Sequence, residues 1–187
     1  MGQSRSAAKE AKLHAILDAA TELLVDKPTA SLNEIAEHAG IGIATLHRYV
    51  ESRDQLMLQL CLRVTKVVGE TIKRIAEETE DEEAYIPALV EALVPMGDKI
   101  HYLTHEASLY YSDEMAAAEN EILEPIRSSI RALQEKGIMR RDMDSEWILN
   151  VLYSLLILTW QQVQQGNIAK NFAAKLVLDT LYHGVRT

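Results

Sequence analysis

The sequence contains few of the residues that cross-link or interrupt a chain. Its 187 residues include one cysteine, four prolines and eight glycines. A single cysteine excludes a disulfide framework within the chain, and we expect a protein of the reducing cytoplasm. So few prolines and glycines exclude a linker-rich or collagen-like chain, whereas 48% hydrophobic residues are ample for a buried core.

Long apolar runs are also missing. The first twelve residues contain no apolar segment of the kind found in a signal peptide. The densest apolar stretch, residues 147–160, is short for a membrane span and contains Asn150, Ser154 and Thr159. We therefore expect a buried helix there and no contact with a membrane.

Positive charge is scarce as well. The net charge is −9, and residues 1–56 hold six Lys or Arg against eight Asp or Glu, which leaves −7 for the rest. This balance excludes a basic domain that attracts nucleic acid without regard to sequence. Any contact with DNA would depend on a few local cations.

Motifs of catalysis and metal binding are lacking too. The chain has no G-x-S-x-G, C-x-x-C or H-E-x-x-H motif and no phosphate-binding loop, so we expect no catalytic residues, no enzyme and no cofactor. His101 and His105 have i, i+4 spacing beside Glu106, but the sequence places no third ligand near them. We interpret both as packed or solvated histidines, and we expect no metal site.

What the sequence does contain is a chain of helical signals without β-alternation. Ser31 and Glu34 form a capping box that begins a helix at Leu32, and Gly40 ends that helix. A second short helix is predicted over residues 43–50, and a longer one over residues 52–75. Two helices joined by a short glycine turn are typical of the helix-turn-helix that enters the DNA major groove.

A longer pattern surrounds the helix-turn-helix: A-A-x-x-L, followed by IAxxAGxxxxTLYxxFxSKxxL. It is matched at Ala19, Ala20, Leu23, Ile35, Ala36, Ala39, Gly40, Thr45, Leu46, Ser52, Arg53 and Leu56. On these matches residues 13–56 resemble the DNA-binding domain of the TetR (tetracycline-repressor) family of bacterial transcription regulators. Gly42, His47 and Val50 depart from the residues usual in that family, and His47 replaces a tyrosine whose hydroxyl contacts phosphate.

A helical wheel of residues 43–50 identifies the candidate DNA contacts. With Leu46 facing inward, Ala44 and Arg48 point outward. Arginine can form a bidentate contact with guanine, and small side chains allow close approach to base edges. The outward face consists of Ala44, Thr45, His47 and Arg48, and Ile43 is a candidate contact at its edge. A merely solvated face is the alternative.

The resemblance adds three further contacts. It implies a base contact by Asn33 and phosphate contacts by Tyr49 and Arg53. An ion pair with Asp54 or Glu51 is the alternative for Arg53.

The remaining sequence predicts a larger helical domain. Helices are expected near residues 83–96, 98–109, 116–136, 145–165 and 168–183, with Gly97, Gly137, Gly166 and Gly184 at their ends. The predicted fold is therefore all-α, with an N-terminal three-helix domain over residues 1–56. Residues 57–187 would form a C-terminal domain for ligand binding and dimerisation.

The helix at residues 147–160 predicts a homodimer. Eleven of its fourteen residues are apolar, so all of its sides need cover, and one chain covers a single face. Two helices from each chain would form a four-helix interface, and a central helix in a monomeric bundle is the alternative. The last helix would contribute Ala169, Phe172, Ala173, Leu176, Val177 and Leu181.

A binding site for an unknown small-molecule effector is predicted beside the helix that links the two domains. Its walls would be that helix, residues 100–111 and the first part of the helix at residues 147–160. Core packing is the alternative for each of the predicted lining residues, which are Val64, Val68, Leu103, Tyr110 and Tyr153.

Together these features predict a dimeric, ligand-responsive transcription regulator, in the first place a repressor that binds a palindromic operator in double-stranded DNA. The acidic charge leaves a second hypothesis open. In that hypothesis the chain is an all-α small-molecule-binding or protein-interaction module that does not bind an operator.

Overall fold

The computed structural model describes residues 2–97 and 113–185, with the side chains of residues 7–97 and 113–184. This part of the chain contains helices and no strand, which confirms the all-α class. Among the helices described, none is long and apolar enough to cross a membrane. The elements are α1 (Gly2–Asp26), α2 (Leu32–His38), α3 (Ile43–Leu46), α4 (Arg53–Glu78), α5 (Glu82–Leu93), a 3-10 turn (Val94–Met96), α6 (Asp113–Glu135), α7 (Ser145–Gln164) and α8 (Lys170–Val185).

Contacts within the chain divide it into two compact units. Of the described residues, 2–64 and 113–115 belong to the N-terminal unit, and 65–97 and 116–185 belong to the C-terminal unit. The division falls inside α4, eight residues beyond the predicted boundary at residue 56. The reason is that the apolar side of α4 continues to pack on the N-terminal core through Met57, Leu60 and Val64.

The N-terminal core is built from apolar residues at helical spacing. Ile16, Ala20 and Leu24 line the inner side of α1, which packs against α2, and α2 packs against α3. The core is completed by Leu17, Ala30, Ile35, Ala36, Leu46, Val50, Leu56, Met57 and Leu60.

Glycine with a positive φ ends α2, as the sequence predicts. Gly40 has φ +64°, and its N–H donates to the carbonyl of Glu37 at 3.0 Å, while the N–H of Ile41 donates to the carbonyl of Ala36 at 2.9 Å. These are the two hydrogen bonds of a Schellman motif, and they turn the chain towards α3.

The other predicted glycine ends lie at or next to the ends of helical segments. Gly137 and Gly166 follow α6 and α7 with positive φ, as expected. Gly97 is the C-cap of the 3-10 turn with φ −54°, and Gly184 is the next-to-last described residue of α8. Gly97 is needed for its small size rather than its φ, since the ring of Trp160 lies against it.

The C-terminal core is formed around α5, α7 and α8, which pack with one another or with the 3-10 turn. The side chain of Arg127 on α6 adds an ion pair to this arrangement. Its Nε lies 2.7 Å from Oε1 of Glu146, in the first turn of α7. The central residues of this core are Ile72, Ile86, Leu89, Ile130, Leu133, Ile148, Leu152, Ala173 and Val177.

Within the chain, α7 has one buried and one exposed apolar side. Its buried side packs on the C-terminal core, whereas Trp147 is 61% exposed, Tyr153 45% and Leu158 50%. A groove along the exposed side, which we call the α7 groove, is lined by Trp147, Asn150, Val151, Ser154, Leu155 and Leu158.

The expectation for the last helix needs correction. Ala173, Val177 and Leu181 were expected to face a partner, but all three are buried in the chain's own core. Phe172 is 47% exposed and remains available on the surface of α8. The i, i+4 stripe of α8 therefore serves folding of the single chain.

Candidate nucleic-acid interface

The second helix of the helix-turn-helix is shorter than predicted. Helix α3 ends at Leu46, but hydrogen bonds continue the helical path: Arg48 N–H donates to Thr45 at 3.2 Å, and Val50 N–H donates to Leu46 at 3.0 Å. The tighter i to i+3 bond is common at helix ends and ends the regular helix without reversing its course. The predicted inner and outer faces are therefore preserved.

Burial follows the helical wheel along this segment. Leu46 and Val50 are fully buried in the N-terminal core, whereas Ala44, His47 and Arg48 are exposed. The other three predicted contacts of this segment, Ile43, Thr45 and Tyr49, are half-buried at its edges. The exposed side thus combines a small side chain, an imidazole and a guanidinium.

Asn33 lies in the first turn of α2 and is exposed. The start of this helix is held by its capping box. Ser31 N–H and Oγ each lie 2.8 Å from Oε2 of Glu34, and Glu34 N–H donates to Ser31 Oγ at 3.3 Å. This reciprocal pair fixes the first turn of the helix that carries Asn33.

Lys27 joins the capping box, a contact that the S-x-x-E motif does not predict. Its Nζ donates to Oε1 of Glu34, seven residues away. The hydrogen bond from Lys27, followed by those from the backbone and side chain of Ser31, lowers the pKa of Glu34 from 4.5 to about 2. The carboxylate therefore stays ionised and keeps both Ser31 and Lys27 in place.

We expect the cap of α2 to weaken in acid as Glu34 takes up a proton. Since the folded pKa is lowered, the contribution is complete above pH 4.5 and is lost as the pH falls towards 2. An NMR titration of the Glu34 carboxyl should give a pKa near 2, and Lys27→Met should raise it while Lys66→Met leaves it unchanged. A wild-type midpoint near 4.5 would contradict the geometry.

Arg53 has two backbone partners that the sequence does not predict. Its Nη1 donates to the carbonyl of Ala30, and its Nη2 donates to the carbonyl of Pro28 at 2.7 Å. Both carbonyls lie in the link between α1 and α2. The guanidinium is thus engaged with the protein backbone at the position where the resemblance implies a phosphate contact.

The predicted effector site is only partly covered by the described residues. Leu103 and Tyr110 lie outside them, as do His101 and His105. Val64 packs on the N-terminal core, Val68 packs on the C-terminal core, and Tyr153 lies on the exposed side of α7. Because part of the predicted lining lies outside the described residues, the effector site stays a prediction.

Across residues 2–97 and 113–185, no group of three His, Cys, Asp or Glu side chains is arranged to hold a metal ion.

Residues 16–60 match the family model described as bacterial regulatory proteins, tetR family. The matched segment runs from α1 into α4 and contains the helix-turn-helix.

Relatives along nearly the whole chain are transcription regulators. The chain is 28% identical over 182 residues to the HTH-type transcriptional repressor LfrR of Mycolicibacterium smegmatis. The alignment covers 97% of this chain and 94% of LfrR. It is 23% identical to the HTH-type transcriptional regulator NfxB of Pseudomonas aeruginosa, covering 90% and 91% of the two chains.

The fold is similar to that of a solved regulator. The crystal structure of the TetR-like transcriptional regulator LfrR from Mycobacterium smegmatis, in complex with proflavine, superposes with a TM-score of 0.78. The match has 28% sequence identity and covers 96% of this chain and 99% of LfrR.

Proposed function

Because the chain belongs to the TetR family of bacterial regulatory proteins, we propose that it is a homodimeric repressor that binds a palindromic operator in the cytoplasm. Members of this family are transcription factors and not enzymes. The observation that carries the proposal is the exposed side of the helix-turn-helix. Leu46 and Val50 fix this segment to the core, and Ala44, His47 and Arg48 remain free of it.

The base sequence would be read by side chains at the surface of α2 and of residues 43–50. We assign base contacts to Asn33, Ala44, Thr45, His47 and Arg48, since small and hydrogen-bonding side chains suit the major groove. Ile43 and Tyr49 lie at the edges of the same surface, where Tyr49 can donate to a phosphate. With a net charge of −2 over residues 1–56, little non-specific attraction is expected, so affinity must come from these local contacts.

The operator proposal is tested by selecting duplexes from a random library with the wild-type chain at several salt concentrations. Recovery of a palindrome with half-sites centred about 34–36 Å apart, one helical turn, supports a dimer with two helix-turn-helix units. Recovery of no preferred duplex at low salt would instead favour the small-molecule-binding or protein-interaction module.

Arg48→Ala is expected to weaken binding to the selected duplex by about 1–3 kcal/mol and to relax the preference at one base pair of each half-site. The physical reason is the loss of a bidentate contact with a base. Arg74→Ala, which removes the same charge from an exposed site in the C-terminal unit, is the control and should bind as the wild type does. Unchanged base preference in Arg48→Ala would show that Arg48 is only solvated.

The second copy in the proposed dimer would cover the α7 groove. Trp147 and Leu158 are each at least half exposed there, which is unusual for large apolar side chains within one stripe. Homodimer interfaces are apolar in this way, and a two-fold pair presents the same surface from both chains.

We further propose that the effector is a planar aromatic cation. LfrR has been solved with proflavine, and the present chain carries a charge of −7 beyond residue 56, which favours a cationic ligand. Val64, Val68, Leu103, Tyr110 and Tyr153 remain the proposed lining. Helix α4 contributes residues to both units, so a ligand that prefers one position of α4 would shift the population that binds DNA.

Proflavine itself is the probe for this part of the proposal. Its fluorescence should change on titration with the protein in the absence of DNA, which avoids intercalation of the dye into a duplex. Saturable binding with one site per chain supports an aromatic cation, and a signal no different from that with an unrelated acidic protein would reject it.

A further inference from the structure

The guanidinium of Arg53 closes a bridge across the N-terminal unit. Arg53 is the first residue of α4, and its two terminal nitrogens reach the carbonyls of Ala30 and Pro28, 23 and 25 residues earlier in the chain. One side chain thus connects the beginning of α4 to the link between α1 and α2.

The link held by Arg53 sets the start of α2. Ala30 is fully buried and its N–H donates to the carbonyl of Lys27 at 3.0 Å. The next residue, Ser31, is the N-cap of α2, and its carbonyl accepts from the N–H of Ile35 at 3.0 Å. A fixed carbonyl at Ala30 therefore fixes the position from which the helix-turn-helix begins.

The planar guanidinium of an arginine holds two carbonyls better than the ammonium of a lysine does. Two donors on one rigid plane satisfy two carbonyls that are two residues apart, whereas the ammonium of a lysine is a single point charge. A phosphate can also accept the arginine fork, but its contribution to the salt dependence of binding needs only one positive charge, which a lysine keeps.

We propose that Arg53 is a positioning residue for DNA recognition, which holds the link between α1 and α2 and thereby orients α2 and α3, and that it is not a phosphate contact. The inference rests on the proposed operator-binding function for its DNA readout. Its structural part, the bridge from α4 to the link, is measurable without DNA.

The experiment compares Arg53→Lys and Arg53→Met in the full-length chain, with Lys66→Met as a control that removes a charge from exposed α4 surface. Three quantities are measured for each: the melting temperature, the amide exchange rate of Ile35, and the salt dependence of binding to the duplex selected by the wild type.

If Arg53 holds the link between α1 and α2, both variants lower the melting temperature by roughly 3–6 °C, since charge-assisted hydrogen bonds are lost in each. Exchange at Ile35 accelerates by about tenfold as the first turn of α2 loosens. Affinity for the duplex falls in both, and the slope of log K against log salt stays at the wild-type value because no phosphate contact is removed.

A phosphate contact gives the opposite pattern. Arg53→Lys would then behave as the wild type in all three measurements, and Arg53→Met would reduce the salt slope by about 0.9 per chain. That result, or an unchanged melting temperature and exchange rate in both variants, overturns the proposal. If the wild type selects no duplex, the operator function fails, while the melting and exchange data still decide whether Arg53 holds the link.

Discussion

Leu158→Glu is expected to separate the dimer into monomers and to remove operator binding. Leu158 is 50% exposed within its own chain and lines the α7 groove, where a second copy would bury it. Two carboxylates, one from each copy, would then be desolvated in an apolar interface without partners. Light scattering should report about 21 kDa in place of the 42 kDa expected for two chains of 21.0 kDa.

The effect on DNA binding follows because a monomer carries one helix-turn-helix and can occupy only one of the two half-sites at a time. A dimer binds its second half-site intramolecularly, which raises the overall affinity by about 10²–10⁴-fold over one unit alone. The variant should therefore bind the selected duplex at least about 100-fold more weakly while its circular dichroism stays helical.

A matched control separates charge from position. Ala76→Glu adds the same charge at an exposed residue of α4 and should leave the dimer and its affinity unchanged. A Leu158→Glu protein that still scatters as a dimer would show that the α7 groove is not the interface, and a monomeric wild type would reject the dimer altogether.

The features of the helix-turn-helix that the sequence predicts correctly are those with local causes. The capping box of Ser31 and Glu34, and the stop at Gly40, depend on residues only a few positions apart. The inward position of Leu46 follows from helical periodicity alone, and the structure places it in the core. Such signals are contained in short windows of sequence.

Contacts between distant residues could not be predicted in this way. The partners of Arg53 lie 23 and 25 residues earlier, and a resemblance at its position suggested DNA phosphate instead. Two carbonyls in a link carry no side-chain signature, because every residue has a carbonyl. Only the path of the folded chain shows that they face α4.

The sequence also did not determine which side of α7 packs on the chain's own core. A helix that is apolar on all sides has no preferred side in a helical wheel, so the sequence indicated a need for cover without dividing it between the chain and a partner. The structure assigns Leu152 and Leu156 to the chain's own core and Trp147 and Leu158 to the exposed side. Tyr153, expected in an effector site, is 45% exposed on the surface.

The second large effect is expected from Gly97→Ala, which should destabilise the C-terminal unit by about 3 kcal/mol. A Cβ at residue 97 would stand 2.0 Å from Cδ1 and 2.3 Å from Cγ of the Trp160 ring. The rigid ring cannot turn aside without losing the hydrogen bond from its Nε1 to the carbonyl of Val94, at 3.1 Å. Calorimetry should show a fall in melting temperature of roughly 10 °C.

Gly184→Ala provides the matched control for that prediction. Gly184 is the next-to-last described residue of α8, with no heavy atom within 4 Å of the added Cβ, so alanine should change the stability by no more than about 0.5 kcal/mol. The double variant Gly97→Ala with Trp160→Ala isolates the clash, because without the indole the added methyl has room. Its destabilisation should be smaller than the sum of the two single changes, and strict additivity would show that the ring and Gly97 are not in close contact.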